Sequence, residues 1–300
     1  MWLSLAFMSA LLLGFYDVAK KQALKDNAVP IVLLLNTLFS TLLFMPILLS
    51  SELGLGWFDA TFLQFEALDV ESHLRIMLKS AIVLSSWVFG YIGIKHLPLT
   101  IVGPINATRP VLVLLGALLI FGERLNLLQW AGVTLALFSI FLLSRAGKRE
   151  GINFASNRWI LCVAAAALLG AASGLYDRHI MRDMEPLAVQ SWYNLYQAVM
   201  MGITVIIIAL CGNKSALKWR WSWAIPMISI LLSAADMCYF VALSESDAMI
   251  SVVSMIRRGS VVVSFACGAV LLREKNLKAK ALDLVFILIG MVLLWLGSRA

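Results

Sequence analysis

Charge is scarce in this chain: Asp, Glu, Lys and Arg make up 14% of its 300 residues, and histidine occurs three times. A soluble domain carries about 25% charged residues, and 61% hydrophobic residues in a water-soluble fold would leave large apolar patches open to aggregation. The shortage of charge therefore excludes water as the solvent for most of the chain. The four cysteines, Cys162, Cys211, Cys238 and Cys267, stand alone in apolar segments. They offer neither metal-ligand spacing nor a disulfide framework, and they read as small core residues. The histidines, His73, His96 and His179, all fall near the ends of apolar runs. No His-Glu-x-x-His, no Gly-x-Ser-x-Gly and no clustered acidic metal site is present. An intramembrane acyl or phosphoryl transferase would need such groups at depth, so no enzyme, cofactor or metal is expected. A basic excess of +7 exists, but no basic patch with interleaved aromatics, so nucleic acid is not expected as a partner. Most Lys and Arg lie between apolar runs, where orientation signals and headgroup contacts belong.

What is abundant is long apolar sequence. A membrane-spanning helix needs about 20 apolar residues, and the mean hydropathy of +0.91 reflects repeated runs of that kind. Ten spans are predicted, at 2–24, 29–50, 74–96, 100–121, 125–145, 158–181, 187–211, 222–244, 248–272 and 277–298. The first lacks a positive leading segment and reads as a span, not a signal peptide. The fold class is thus all-α and integral to a membrane, with lipid as partner. Residues 51–73 are acidic, too polar to span, and suited to lie along the interface.

The chain also repeats itself. GFYD at 14–17 returns as GLYD at 174–177, each late in the first helix of a five-helix block. Asn36 and Asn194 take similar places in the following helices, Arg109 returns as Arg258, and GERLN (122–126) loosely returns as REKNL (273–277). Five is odd, so a duplicated five-helix unit inserts upside down. Two halves, 1–150 and 151–300, then form an inverted-topology repeat, the usual plan of a secondary transporter with its site between the halves.

With ten helices in two halves and Gly-Glu-Arg-Leu after the fourth helix, the chain resembles the EamA branch of the drug/metabolite transporter superfamily. The resemblance implies a central cavity lined by helices one, three, four, six, eight and nine, alternating access by rocking of the halves, and termini on one side. It also implies a monomer or homodimer with a small-molecule substrate, in a bacterial inner (plasma) membrane. Orientation divides the signals. Of the 24 Lys and Arg, fifteen fall on one side, six on the side of the termini, and three (Arg109, Arg257 and Arg258) inside. The positive-inside rule then places the termini outside. The resemblance implies the reverse.

Intramembrane ionisable groups mark function by default. Arg257 and Arg258 read as lying near the middle of the ninth helix, where Ser251, Ser254 and Arg258 share a face. Arg109 lies in GPINATRP, where Pro104 and Pro110 free the carbonyls of Thr100 and Asn106. Triose-phosphate translocators of the superfamily resemble this arrangement, which implies that Arg109, Arg257 and Arg258 converge as an anion clamp. The competing account is a structural network in which Asp17, Asp177, Asp236 and Glu245 neutralise them. Asp17 has Lys20 and Lys21 at i+3 and i+4, and Asp177 lies beside Arg178 and His179. Asp236 lacks a basic neighbour at helical spacing and is a candidate for pairing, for proton coupling or for substrate contact. Asn194 (between Gln190 and Gln197), Asn36, Tyr16 and Tyr176 complete the candidate site. The sequence thus points to transport of a small anionic or zwitterionic metabolite: a phosphorylated compound, a carboxylate or an amino acid. A flippase for a phosphate-bearing lipid-linked substrate is the alternative of the same class. A non-transporting receptor or assembly subunit and an intramembrane transferase are the alternatives of other classes.

Overall fold

The computed structural model describes residues 2–297 except 59–60, 62, 110, 113–114, 116–125, 149–150, 155, 181–183, 212–216, 245–255 and 273–276. Its regular elements are helices: α1 (Trp2–Leu24), α2 (Val29–Glu52), α3 (Val70–His96), α4 (Leu99–Ala107), α5 (Leu127–Lys148), α6 (Arg158–Ile180), α7 (Pro186–Leu210), α8 (Ala224–Ser244), α9 (Ser260–Val270) and α10 (Leu277–Gly297). Seven of them hold a stretch long and apolar enough to cross a membrane, and α8 carries a shorter apolar stretch at Ala224–Tyr239. Such helices satisfy their own backbone groups, which is what the hydrocarbon demands. Val199, Ile203, Ile206 and Leu210 form an exposed apolar stripe on α7, and lipid is the solvent that such a stripe fits.

Proline and capping residues set several boundaries. Pro30 and Pro186 occupy the first turns of α2 and α7, where a missing N–H costs nothing. Asp69 caps α3 by accepting from the Ser72 amide at 3.1 Å, so that helix starts four residues earlier than the sequence suggests. The hydrogen bond with Ser72 holds the exposed Asp69 carboxyl below the usual carboxylate range. The acidic stretch before it is not wholly interfacial: Phe65 is buried against Phe44, Ile47 and Ala188.

The helices pair in an orderly way. α1 packs along α8, and α3 along α6; α1 also meets α9, and α6 meets α4. α2 packs on α7, α4 on α9, and α5 on α10. Within these pairings, adding or subtracting five from each number returns the same set. Small residues permit the close approaches: Gly14 of α1 lies against Val263 and the Ser260 carbonyl of α9. One serine-to-carbonyl bond joins each long pair, Ser9 to Ala235 at 2.7 Å and Ser86 to Ala166 at 2.8 Å. In lipid, such small-residue contacts and interhelical bonds carry the association that hydrophobic burial carries in water.

At the end of the molecule where α1 finishes and α3 finishes, polar groups tie segments together. The Lys21 ammonium donates to the carbonyls of Ile94 (2.5 Å) and Leu97 (2.6 Å), closing the C-terminus of α3. Asn27, 3% exposed, accepts from the Lys95 ammonium through its carbonyl at 2.7 Å. Its side chain accepts from the Arg220 amide, and the neighbouring Ala28 amide donates to the Lys218 carbonyl at 2.9 Å. Asn27 and Ala28 thus grip residues 218–220.

Candidate functional site

Two polar clusters stand at different depths. The first gathers on α1, α3, α4 and α6. Asp17 pairs with Lys20 at 2.7 Å, an i,i+3 contact within α1. Lys20 is 8% exposed and sits over the rings of Tyr16 and Tyr91, at 4.1 and 5.4 Å from their centroids. The two tyrosine hydroxyls lie 3.4 Å apart. A desolvated ammonium over aromatic faces gains about 2 kcal/mol in favourable cases, which helps hold a lysine away from water.

Arg109 closes this cluster from α4. That helix ends at Ala107, where Thr108 turns and donates both its amide (3.2 Å) and its hydroxyl (2.7 Å) to the Ile105 carbonyl. Past the turn, the Arg109 guanidinium donates to Asn106 Oδ1 at 3.2 Å and to the Ala166 carbonyl at 3.4 Å. Its Nε–H is buried and has no partner. A methyl group on Gly170 of α6 would stand 2.7 Å from its Cζ, so the absence of a side chain there makes room for the guanidinium. Asp17 acts on Arg109 electrostatically, but its ion pair is with Lys20. Among the described residues the cluster thus holds two cations, one carboxylate and an unused guanidinium donor.

The second cluster lies at the other end of α1. Arg257 pairs with Asp236 of α8 and stacks on Tyr239, with its Cζ 4.2 Å from the ring centroid. Gln190 of α7 donates to the other Asp236 oxygen at 3.4 Å. Tyr239 and Ile256 pack with Trp2, Leu5 and Ala6. Ala6 and Tyr16 are ten residues apart on α1, about 15 Å along the axis. Of the three arginines expected to converge, Arg109 and Arg257 thus belong to separate clusters. Arg257 and Arg258 lie in a helical segment, and a turn at Gly259 stands between them and α9. Ser251 and Ser254, which were expected to share a face with Arg258, lie outside the described residues, as do Glu245 and the side chain of Asp177.

The other candidates are dispersed. Asn36 of α2 accepts from Ser229 of α8 at 3.0 Å, while its Nδ2 is buried without a partner. Asn194 Nδ2 and both polar atoms of Gln197 on α7 are in the same condition. Tyr176 stands apart from Arg109, donating to the Arg75 carbonyl at 3.4 Å beside Ile76 and Trp192. Lys20, Asn106 and Gly170 were not among the expected site residues. Lys20 was visible as a helical neighbour of Tyr16 and Asp17, whereas the contacts of Tyr91 and Gly170 depend on distant helices. Lys20 and Lys79 are 8% exposed and Lys280 is fully buried, so three lysines that had been counted as loop charges are internal.

Comparison with known proteins places this geometry. The profile described as the EamA-like transporter family matches residues 1–145 and 157–296. A solved crystal structure is similar over 99% of this chain and 98% of its own, at 18% identity with a TM-score of 0.60, a likeness of fold. No curated protein matches the sequence.

Proposed function

The chain belongs to the EamA-like transporter family, within the drug/metabolite transporter superfamily, and is an integral multi-pass membrane protein; from that premise we propose a secondary transporter for a small anionic or zwitterionic organic metabolite. The substrate class is a phosphorylated compound, a carboxylate or an amino acid, moved by alternating access. Arg109 carries the reading. Among the described residues its hydrogen-bond partners are neutral, its Nε–H is unused, and Lys20 pairs with Asp17, the carboxylate of the cluster. An anion would neutralise the cluster and take the free donor, because guanidinium binds carboxylate and phosphate through paired N–H groups. The unpartnered amide N–H groups of Asn36 and Asn194 add donors in the interior. Arg257, already paired with Asp236, serves the scaffold or a gate in this reading. So does Asp236. Tyr16 and Asp17 shape the anion site through Lys20.

We further infer ten spans in two inverted five-helix halves, 1–150 and 151–300. The support is the double match of the family profile and the helix pairing that survives exchange of the halves. With buried lysines set aside, the Lys/Arg bias still favours the α1–α2 end as cytoplasmic and the termini as external. A reporter fused to Ala300 that works only in the cytoplasm would reverse that orientation.

The deciding experiment is a thermal-shift screen of purified wild type beside Arg109→Gln. Its panel comprises inorganic phosphate, phosphorylated metabolites, carboxylates, amino acids, cationic amines and phosphate-bearing lipids, since a ligand of the folded state raises Tm by mass action. Stabilisation by one soluble anionic class, lost in a folded Arg109→Gln, supports the proposal. Stabilisation by amines alone refutes it, and a response confined to lipids turns the reading to a flippase.

A further inference from the structure

A second ionisable site lies outside both clusters. Asp283 of α10 is fully buried, and among the described residues no cation pairs with it and neither carboxylate oxygen has a hydrogen bond of full geometry, the Ser139 hydroxyl being its one polar neighbour there. One turn before it, Lys280 is also fully buried, yet its ammonium donates to the Thr100 hydroxyl of α4 at 3.0 Å. Ser139, fully buried on α5, is the polar side chain of that helix that faces Asp283. The other charged residues described on α10 and α5 are exposed. Lys278 is exposed, and Arg145 and Lys148 occupy the exposed last turn of α5. The described residues of α4 before Arg109, and those of α9, carry none.

One neutral hydroxyl does not offset the burial of an ionised carboxylate, and a buried acid escapes the penalty by taking up a proton. The ammonium of Lys280, one turn away, opposes a metal cation in the same place. The position is also close to water. Asp283 lies six residues from the start of α10, about 9 Å along its axis. Thr100 is the second residue of α4, and Arg109 follows about 13 Å deeper. A short route therefore leads from Asp283 to the Lys/Arg-rich end of the molecule.

We propose that Asp283 is a proton-binding site, distinct from the Arg109 cluster, that holds a proton while Lys280 is bonded to Thr100. When α10 moves against α4, Lys280 leaves Thr100 and reaches Asp283 at i,i+3 spacing. The Asp283 O–H bond breaks, the proton passes to water, and the carboxylate left behind pairs with the ammonium. The movement rests on the transporter reading; the proton does not.

Infrared spectroscopy of the protein in lipid bilayers, titrated with pH, tests the proposal without any substrate. Wild type is expected to show a protonated-carboxyl carbonyl band at neutral pH that shifts in D2O and disappears in alkali. The band is expected to be absent in Asp283→Asn, unchanged in Arg109→Gln, and the same in sodium and choline chloride. If Asp283→Asn does not fold, Asp283→Glu replaces it: ¹³C-labelled aspartate then shifts the wild-type band and leaves the variant's in place. A wild type with no such band at neutral pH overturns the proposal, as does a band that emerges only in Lys280→Met, the signature of a closed ion pair. Loss of the band on adding sodium overturns it in favour of a metal cation. Failure of the anion screen with the band intact would sink the substrate reading and leave the proton site standing.

Discussion

Replacing Gly170 by alanine tests the anion site without removing any charge. The new methyl would stand 2.7 Å from Arg109 Cζ, 2.8 Å from a terminal nitrogen and 2.9 Å from Nε. Carbon atoms settle about 3.5–4.0 Å apart, so the guanidinium must retreat by about 1 Å. Its bonds to Asn106 and Ala166, at 3.2 and 3.4 Å, leave little reach to spare. A hydrogen bond to a charged group contributes about 1.5–3 kcal/mol, and each 1.4 kcal/mol is roughly tenfold in affinity. Gly170→Ala is therefore expected to weaken binding of the stabilising anion about 10- to 100-fold. The fold should not suffer, since alanine in a helix interior is favoured over glycine by up to about 1 kcal/mol. Gly202→Ala on α7, with nothing within 4 Å of the added carbon, is the control. The assay is an isothermal titration, or Tm against ligand concentration, on the three proteins. Wild-type affinity in Gly170→Ala would refute the reasoning, because it would mean that the guanidinium's position does not matter to the ligand.

Three further outcomes follow from the packing and the caps. Asp236→Asn strands Arg257 and is expected to cost about 2 kcal/mol, between the exposed and fully buried limits for ion pairs. In a thermal-unfolding cycle the double variant with Arg257→Gln should lose less than the sum of the two single variants; simple additivity would show the pair to be uncoupled. Gly14→Ala drives a methyl into Val263 and towards the Ser260 carbonyl, so overpacking of the α1–α9 contact should cost about 1–3 kcal/mol and lower Tm. The Asp69 cap is present while its carboxylate is ionised. Because Ser72 holds that group below its usual range, the cap is complete above about pH 4 and is lost as pH falls through the depressed value. Amide exchange at Ser72, corrected for intrinsic rates, should therefore accelerate on acidification in wild type and stay flat in Asp69→Ala.

The apolar runs made most helices legible, because the span of a bilayer sets their length and nothing tertiary is needed to see it. The Asp17–Lys20 pair was legible for the same reason, being a contact within one helix. Contacts made across the chain were not. Lys20 lies under Tyr91, Lys79 faces Tyr193 and Lys280 binds Thr100, and each partner comes from another helix. Near a span's end, a buried lysine and a snorkelling one have the same local sequence. Adjacency hid the pairing of Arg257 with Asp236, since a choice between neighbours about 100° apart depends on where Asp236 stands. Asp283 gave no local sign at all: Lys280, three residues before it, made the pair look like an ordinary helix start.

The Asn27 junction bears on how the halves can move. Its side chain and the neighbouring Ala28 amide hold residues 218–220, while its carbonyl holds Lys95, and Lys21 fastens α1 to the end of α3. The loop before α8 is thereby laced to the tips of α1 and α3, so tilting one half against the other cannot open this end without first unlacing backbone bonds. At the opposite end side chains meet: Trp192 and Tyr196 lie against His73, Tyr196 hydrogen-bonds to His73 at 2.8 Å, and Trp192 donates to Glu52 at 3.2 Å. Opening that rim would part these side-chain contacts, whereas opening the Asn27 rim would also break bonds to the backbone.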